Sequence, residues 1–576
     1  MFLGYMNIRT IKDLVYKVMP LWVFIFFALV FLAIQFSGSQ MSSPDEPAYN
    51  IAHALSYKTG EVWQYPVYST MTTHPADLYY LYHVLLSKFF IGFDGANYEV
   101  LVAGLKIFHA LLVALIFTLF YVFVRSVFLT ESDGVTRERA TRYALVGTFF
   151  LFFASQIFIG RMYLPRPFHF AVLFLFCSFF FSMRRHHVPL FIFSFLMPWF
   201  YSVSFLVLIP PFLYLFAAKF YNRSARLPVP GVYTPLLVSV GGLIAGIITR
   251  PDSLNYLYNG SYLTVVSIFN FFGGVLPEGM ELAPPGWHAP DFLTLLIFAL
   301  ICFVYTVRIR GSRHVDEVID FPTFYALAVA FVFGLLMTGI SRAGEYTALF
   351  LLFAIVRVIG RSGIPIVEKL TAGGYGRNAS SPVLIELLRA AREVCLFMFG
   401  PKGVFAKIFY AICIVFFVGT AVRFNIFLRD QPPLDLYRGA AEYMQKHSAR
   451  GDIVFQQRFD MYPRLVFYNT HNRYIAGFGN TFSYAYNRGL FRLWISTVAG
   501  GPICPRKHCE KEEVDTYSVI KDYFKAKFVF IDTSEEAGGF DVQYNPRFVE
   551  RLDRDLRFKK VYADQKYPEI MVYEVL

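Results

Sequence analysis

Apolar residues in this chain come in long blocks rather than in alternation. Between residues 21 and 422 the blocks run to roughly 17–22 residues, about the length a helix needs to cross the hydrocarbon core of a bilayer, and polar turns separate them. They occupy 21–36, 101–124, 143–160, 167–183, 188–217, 231–249, 291–307, 321–340, 347–360 and 404–422. The block 188–217 exceeds one crossing and is interrupted by Pro198, Pro210 and Pro211, so it predicts a hairpin of two short helices. About eleven transmembrane helices result. After residue 422 the texture changes. Short β-rich runs at 452–455, 528–531 and 571–575 alternate with helical patterns at 434–446, 514–524 and 546–552, which predicts a three-layer α/β domain.

The expected fold class is therefore an α-helical polytopic membrane protein with a C-terminal α/β domain. Three parts are expected: a transmembrane module over 1–360 with large loops at 38–100 and 250–290, a linker and last transmembrane helix over 361–422, and the domain 423–576. The linker holds Gly373-Gly374 and Ser380-Ser381-Pro382, followed by an amphipathic stretch at 384–399. Gly373-Gly374-Tyr375-Gly376 belongs to this linker and is no nucleotide loop. There is no internal repeat.

Composition agrees: 56% of residues are hydrophobic, 19% aromatic and 16% charged, beyond ordinary globular usage in the first two. The first block lacks a small-residue cleavage site and reads as a retained anchor. Basic residues set the orientation. One set of turns carries Arg9, Lys12 and Lys17; Arg125, Arg137, Arg139 and Arg142; Arg184 and Arg185; Lys219, Arg223 and Arg226; and Arg308, Arg310 and Arg313. The opposite set is sparse. The N-terminus is thus expected inside, with the loops 38–100 and 250–290 and the tail domain on the extracytoplasmic side of the cell membrane. These turns account for the net charge of +12 without a nucleic-acid partner. Cys504 and Cys509, in the tail, suit a local disulfide in an oxidising compartment. Cys177, Cys302, Cys395 and Cys413 read as packing residues.

The most informative short stretch is Ser43-Pro44-Asp45-Glu46-Pro47, just past the first block. Carboxylates at the mouth of a span are costly unless they react, bind an ion or pair with a cation. Ser43, Pro44 and Glu46 fit a helix start with a capping box, which leaves Asp45 unexplained. Ala48, Ile51, Ala52 and Leu55 then give the helix one apolar face, suited to the membrane interface. Gly60, Trp63, Pro66, His74-Pro75 and Phe93-Asp94-Gly95 follow, and the next span carries Lys106.

This order resembles the GT-C-fold glycosyltransferases that use polyprenol-phosphate sugars, above all the protein O-mannosyltransferases and the lipid A aminoarabinose transferases. The matching residues are Asp45, Glu46, Tyr49, Ile51, Ala52, Gly60, Trp63, Pro66, His74 and Pro75. Two positions depart from the family pattern: Ala76-Asp77 stands where a second proline is usual, and Lys106 where an arginine is. The Trp-Trp-Asp signature of the oligosaccharyltransferase branch is absent.

The resemblance implies an extracytoplasmic transfer from a polyprenyl-phosphate-linked donor to a glycan, lipid or protein acceptor, by inverting single displacement. Such chemistry needs a base for the acceptor hydroxyl and cations for the leaving phosphate. Asp45 is the expected base, with Glu46 beside it for acceptor or metal. For the phosphate the expected cations are Arg342, Arg161, Arg166 and Lys106, with His74. Tyr49, Glu345, Tyr346 and His288 are expected on the acceptor or sugar side, and Glu278 and Glu281 flank the last of these. Arg250 and Asp252 read as a solvated loop. In the tail, Asp460, Tyr462, Asn469, His471 and Asn472 suit either sugar contacts or a hydrogen-bonded turn. The pattern admits a divalent metal without requiring any cofactor. The alternatives are a multi-span transporter or lipid flippase, against which the lack of repeat symmetry counts, and a non-catalytic glycan-binding scaffold.

Overall fold

The apolar blocks that fall within the described residues fold as helices. The computed structural model describes residues 8–37, 46–90, 98–130, 136–153, 155–225, 231–273, 320–337, 343–362, 404–429, 431–477, 479–506, 511–534 and 546–576. The bundle contains α1 (Ile8–Ser37), α5 (Tyr98–Thr130), α6 (Arg137–Phe153), α7 (Gln156–Tyr163), α8 (Phe168–Arg184), α9 (His187–Phe200), α10 (Ile209–Ala225), α11 (Thr234–Ile248), α12 (Ser253–Gly273), α13 (Phe321–Met337), α14 (Ala343–Ser362) and α15 (Val404–Arg429). Among the described residues two stretches are long and apolar enough to cross a membrane, Tyr16–Ser37 and Tyr98–Leu129, and five more apolar helices are shorter. Large side chains face outward along α1 and α15, including Leu21, Trp22, Leu29, Ile414, Val415 and Phe416. A continuous apolar stripe of this kind is disfavoured in water and matched by lipid.

Several expectations change in detail. The block 143–160 divides into α6 and α7, because the Ser155 hydroxyl accepts from Phe158 N and caps a new helix. The block 188–217 becomes α9, a 3-10 turn at Ser204–Leu208, and α10. The loop expected at 250–290 opens with the 21-residue helix α12. The block 291–307, the stretch 384–399, and Glu278 and Glu281 lie outside the described residues.

Between α1 and α5 the first loop folds into α2 (Glu46–Thr59), a single turn α3 (Thr70–Thr73) and α4 (Tyr80–Phe89). Helix α2 was expected to lie in the interface with one apolar face; instead residues 47–54 are all buried. The reason is a second cover. The tail domain sets its helix α17 (Tyr462–Tyr468) against α2, with α16 (Arg438–Lys446) next to it.

The tail adds α18 (Asn480–Tyr486), α19 (Arg488–Val498), the single turn α20 (Thr516–Ser518) and α21 (Pro546–Arg554) around a five-stranded sheet. The strands are β1 (Ile453–Gln456), β2 (Arg473–Tyr474), β3 (Ala526–Asp532), β4 (Phe558–Ala563) and β5 (Ile570–Val575), in the order β2-β1-β3-β5-β4. The first three are parallel, while β5 and β4 run antiparallel. Side chains alternate across the sheet. Phe528 and Phe530 of β3 join the core shared with the bundle, whereas Val529 and Ile531 join a separate core with Trp494, Phe548 and Leu552. These are the three layers the sequence predicted. The first loop lies along the edge of β2, with Val67 N donating to Tyr474 O at 2.8 Å and Tyr68 N to Ile475 O at 3.2 Å. Cys504 is disulfide-bonded; Cys509 lies outside the described residues.

Candidate active site

Two polar clusters interrupt the apolar core. The first gathers where α1, α5, α7 and α14 meet. Lys106 on α5 is buried, and its Nζ donates to Gln35 O at 3.0 Å, one turn from the end of α1. The Gln35 amide donates in turn to the carbonyl of Tyr163, the last residue of α7. Arg161 occupies the last turn of α7, a position that the helix dipole favours for a cation. Its Nε lies 2.7 Å from Glu345 Oε1, and its guanidinium faces the Phe168 ring at 4.9 Å. Glu345 is 2% exposed in the first turn of α14, where the dipole favours an anion. Arg166 is buried in the turn leading to α8.

A thread of hydrogen bonds leads from there to Tyr82, the chain neighbour of His83 in the second cluster. His169 Nε2 bonds Arg161 O at 3.2 Å, His109 Nδ1 meets His169 Nδ1 at 2.9 Å, and Tyr82 Oη meets His109 Nε2 at 2.8 Å. A carbonyl only accepts, so the proton of His169 sits on Nε2. With both imidazoles neutral, His109 Nδ1–H donates to His169 Nδ1 and Tyr82 donates to His109 Nε2, so the thread has a single direction.

The second cluster centres on Asp77, 5% exposed in the first loop. His83 Nδ1 lies 2.8 Å from both carboxylate oxygens, Tyr57 Oη donates to Oδ2 at 2.9 Å, and Tyr79 N donates to Oδ1 at 2.9 Å. His53 Nε2 stands 3.6 Å from Oδ2. Burial alone would raise the Asp77 carboxyl; His53, His83 and the hydrogen bonds outweigh it and hold it below the usual carboxylate range. Burial lowers His53 to about 3, although Asp77 opposes that shift, so its imidazole is neutral near pH 7. The ring of His53 stacks on Trp63 with centroids 4.4 Å apart. Arg250 clamps the cluster from α11's end. It pairs with Asp252 at 2.8 Å, donates to Asp77 O at 2.5 Å and to Pro198 O, and lies 4.0 Å over the Tyr256 ring. Arg250 and Asp252 are thus an internal brace, not the solvated loop expected.

The structure brings together Lys106, Arg161, Arg166 and Glu345 of the expected site. Tyr346, beside Glu345, packs its ring on Phe333 at 5.0 Å. Tyr49 joins the other cluster, its hydroxyl 2.6 Å from His53 Nδ1. His74 is placed against α12, stacking on Tyr258 at 4.2 Å while its carbonyl accepts from Asn259 at 2.7 Å. Asp45, Arg342 and His288 lie outside the described residues, as does the side chain of Glu46, the first residue of α2. The chain from Ser37 to Glu46, which carries Asp45, joins the helix beside Lys106 to the helix bearing Tyr49 and His53. Sequence reading missed His53, Asp77, His83, His109 and His169. The one signal was Asp77 itself, standing where the family has proline.

In the tail, Asn469 Oδ1 accepts from His471 N and Asn472 N at 3.0 and 3.1 Å, and Asp460 pairs with Arg458 at 2.9 Å. That patch is a hydrogen-bonded turn. Where it meets the first loop, a small open pocket of about 20 Å³ is lined by Ser56, Trp63, Gln64, Arg450 and Asn472.

No protein-family model matches the sequence, and no curated protein does. The fold does find likenesses. The archaeal oligosaccharyltransferase AglB from Archaeoglobus fulgidus, in complex with an inhibitory peptide and a dolichol-phosphate, matches 98% of this chain and 75% of its own, with a TM-score of 0.55 and 12% identity. ArnT from Cupriavidus metallidurans bound to undecaprenyl phosphate matches 97% of this chain and 98% of its own, with a TM-score of 0.51 and 13% identity. Apo ArnT gives a TM-score of 0.50, again at 13% identity. The chain carries the GT-C fold. At such identities the likeness concerns the path of the backbone. The GT-C fold is thus reached here by a sequence that shares few side chains with either protein, so the chemistry has to be argued from this chain's own residues.

Proposed function

We propose that the chain is an integral-membrane glycosyltransferase that moves a sugar from a polyprenyl-phosphate donor to an acceptor on the extracytoplasmic side of the cell membrane. The observation that carries this reading is the gathering of Lys106, Arg161 and Arg166 where the chain leaves α1 toward Asp45, in a fold whose solved examples hold a dolichol-phosphate and an undecaprenyl phosphate. Buried cations in a membrane bundle are costly; Glu345 offsets Arg161, and a lipid phosphate would meet the remaining charge of the group.

In this reading Asp45 takes the proton of the acceptor hydroxyl as that oxygen attacks the anomeric carbon. The bond from the anomeric carbon to the phosphate oxygen breaks, and its electron pair leaves on the phosphate. Lys106, Arg161 and Arg166, with Arg342, stabilise that charge. Glu345 shares Arg161 with the phosphate and fixes the guanidinium's orientation. Glu46, Tyr49 and Tyr346 shape the acceptor side, joined by His288, while His74 stands at its margin. The donor lipid, the acceptor and the membrane lipids are the partners; no cofactor is required.

The test uses the full chain in lipid nanodiscs, given polyprenyl-phosphate sugars radiolabelled in the sugar. Transfer to glycan, lipid or peptide acceptors is expected from the wild type, and Asp45→Asn should lower it by about 10²–10⁴-fold while donor binding persists. Transfer by Asp45→Asn at the wild-type rate would sink the reading.

A further inference from the structure

We propose that His53, Asp77 and His83 form a site for one divalent transition-metal cation, with zinc the best chemical match. One ligand atom from each lies within 4.8 Å of the others, and all three side chains are buried. They come from three separate stretches, α2, the turn before α4, and α4, so the ion would tie the first loop together.

Four features favour a cation over a hydrogen-bonded hub alone. First, the His53 Nε2 to Asp77 Oδ2 separation of 3.6 Å is too long for a good hydrogen bond. It is close to the spacing of two ligands around a tetrahedral ion with bonds of about 2.0–2.2 Å. His83 Nδ1, now 2.8 Å from the carboxylate, needs to open by only a fraction of an ångström. Second, the outward nitrogens are already engaged. Tyr49 Oη holds His53 Nδ1 at 2.6 Å, and Asn50 Oδ1 holds His83 Nε2 at 3.0 Å. Partners of this kind orient imidazoles as metal ligands. If Asn50 Oδ1 takes the proton of Nε2, a neutral His83 turns its Nδ1 lone pair toward the carboxylate, an arrangement that calls for a cation between them. Third, the rings of Trp63 and Tyr57 sandwich His53 at 4.4 and 5.5 Å, which fixes its orientation in advance. Fourth, the Arg250 guanidinium is paired with Asp252 and meets Asp77 at its backbone carbonyl, which leaves the carboxylate itself to the imidazoles, Tyr57 and the Tyr79 amide. Two nitrogens and one carboxylate oxygen suit zinc rather than calcium or magnesium, which prefer oxygen donors. Any proton held on His83 Nδ1 leaves on binding, and the Tyr57 hydroxyl or a water would complete four ligands.

The experiment uses the full chain in detergent, stripped with chelator, exposed to Zn²⁺ or Co²⁺ and desalted. Metal is counted by mass spectrometry, and size-exclusion elution reports folding. One ion per chain is expected in the wild type. Asp77→Asn and His83→Gln should lose nearly all of it, His74→Ala none, and Asn50→Ala should weaken affinity about tenfold, because Asn50 holds the outward nitrogen of His83. Should Asp77→Asn fail to fold, the wild type alone decides: Co²⁺ absorbing as a four-coordinate site supports the proposal, and the spectrum of the hydrated ion overturns it. Wild-type metal content no higher than that of His83→Gln overturns it as well. The readout is metal, not transfer, so this proposal and the transferase reading fail separately.

Discussion

Arg161 in the last turn of α7 and Glu345 in the first turn of α14 meet Nε to Oε1 at 2.7 Å, each at the end of a helix whose dipole favours its charge. Both are buried, so neither charge has water to fall back on. Removing one partner of such a pair typically costs about 3–5 kcal/mol, whereas removing both costs much less. Glu345→Gln and Arg161→Gln should therefore each lower the thermal midpoint sharply, and the double variant should recover part of the loss. A double-mutant cycle on detergent-solubilised protein reads the coupling; strictly additive effects would show that the pair contributes nothing.

The same residues separate binding from chemistry. On the transferase reading, Arg161 meets charge that develops on the leaving phosphate, so Arg161→Gln should lower kcat by about 10²–10³-fold, with a smaller change in donor KM. Lys106 already satisfies its ammonium on Gln35 O, and Lys106→Met should act chiefly on donor affinity. Steady-state kinetics with a labelled donor resolves the two, and equal effects on kcat and KM from both would argue that they act as one patch.

Arg250 uses the geometry of its guanidinium rather than its charge alone. It reaches Asp252 through two nitrogens at 2.8 and 2.9 Å and the carbonyls of Asp77 and Pro198 as well. A lysine keeps the charge but cannot fork. Arg250→Lys should cost about 1.5–3 kcal/mol for each charged hydrogen bond it fails to replace, and should open the first loop to protease between residues 60 and 80. Unchanged cleavage kinetics there would contradict the brace.

What the sequence made legible follows from locality. The apolar blocks announce the bundle because each is long enough to carry its own signal, and β3 and β5 stand out because their residues are buried on both faces. Strand β2 is only two residues long, and β4 shows Lys559 and Lys560 to solvent, so neither carries a periodic pattern. The break at Ser155 depends on one cap inside an apolar run, and α12 hides among asparagines and tyrosines. Of the candidate site, Arg161 was readable as a charge in a place that disfavours charge, and Lys106 and Glu345 through the resemblance to the glycosyltransferases. The Asp77 cluster was not. His53 looks like one more polar position on α2 until α4 and the tail domain cover it, and no spacing rule links it to residues 77 and 83.

Asp435 ties the start of the tail domain to its last hairpin, accepting from Lys566 Nζ and Tyr567 Oη at 2.7 Å each. Partial burial pushes its carboxyl up, but these two hydrogen bonds outweigh it and hold the carboxyl below the usual range. A folded value below the unfolded one means that the tie contributes fully above about pH 4 and is lost as pH falls through the folded value. The side chain is 44% exposed, so screening limits the contribution to below about 1 kcal/mol. Asp435→Asn should lower the thermal midpoint slightly at neutral pH, and the gap should close on acidification to about pH 3. A gap that widened in acid would reverse the assignment.

The seam between the first loop and the tail domain leaves no room at Gly477. A Cβ there would stand 2.5 and 2.6 Å from Tyr462 Cδ1 and Cγ and 2.9 Å from Pro66 Cγ. Neither neighbour yields cheaply: Pro66 is a rigid ring, and Tyr462 is buried with its hydroxyl on Gln64 O at 3.2 Å. Gly477→Ala must therefore shift the turn after β2 or the ring, and overpacking of this kind costs about 1–3 kcal/mol. The strain falls on the segment where Val67 and Tyr68 bond β2, so amide exchange at those two positions should quicken in the variant. Adding Tyr462→Leu frees the space and should restore part of the stability lost to Gly477→Ala. If Gly477→Ala leaves both the thermal midpoint and the exchange at 67–68 unchanged, the tail domain is not packed on the first loop in this way, and the cover over α2 is lost with it.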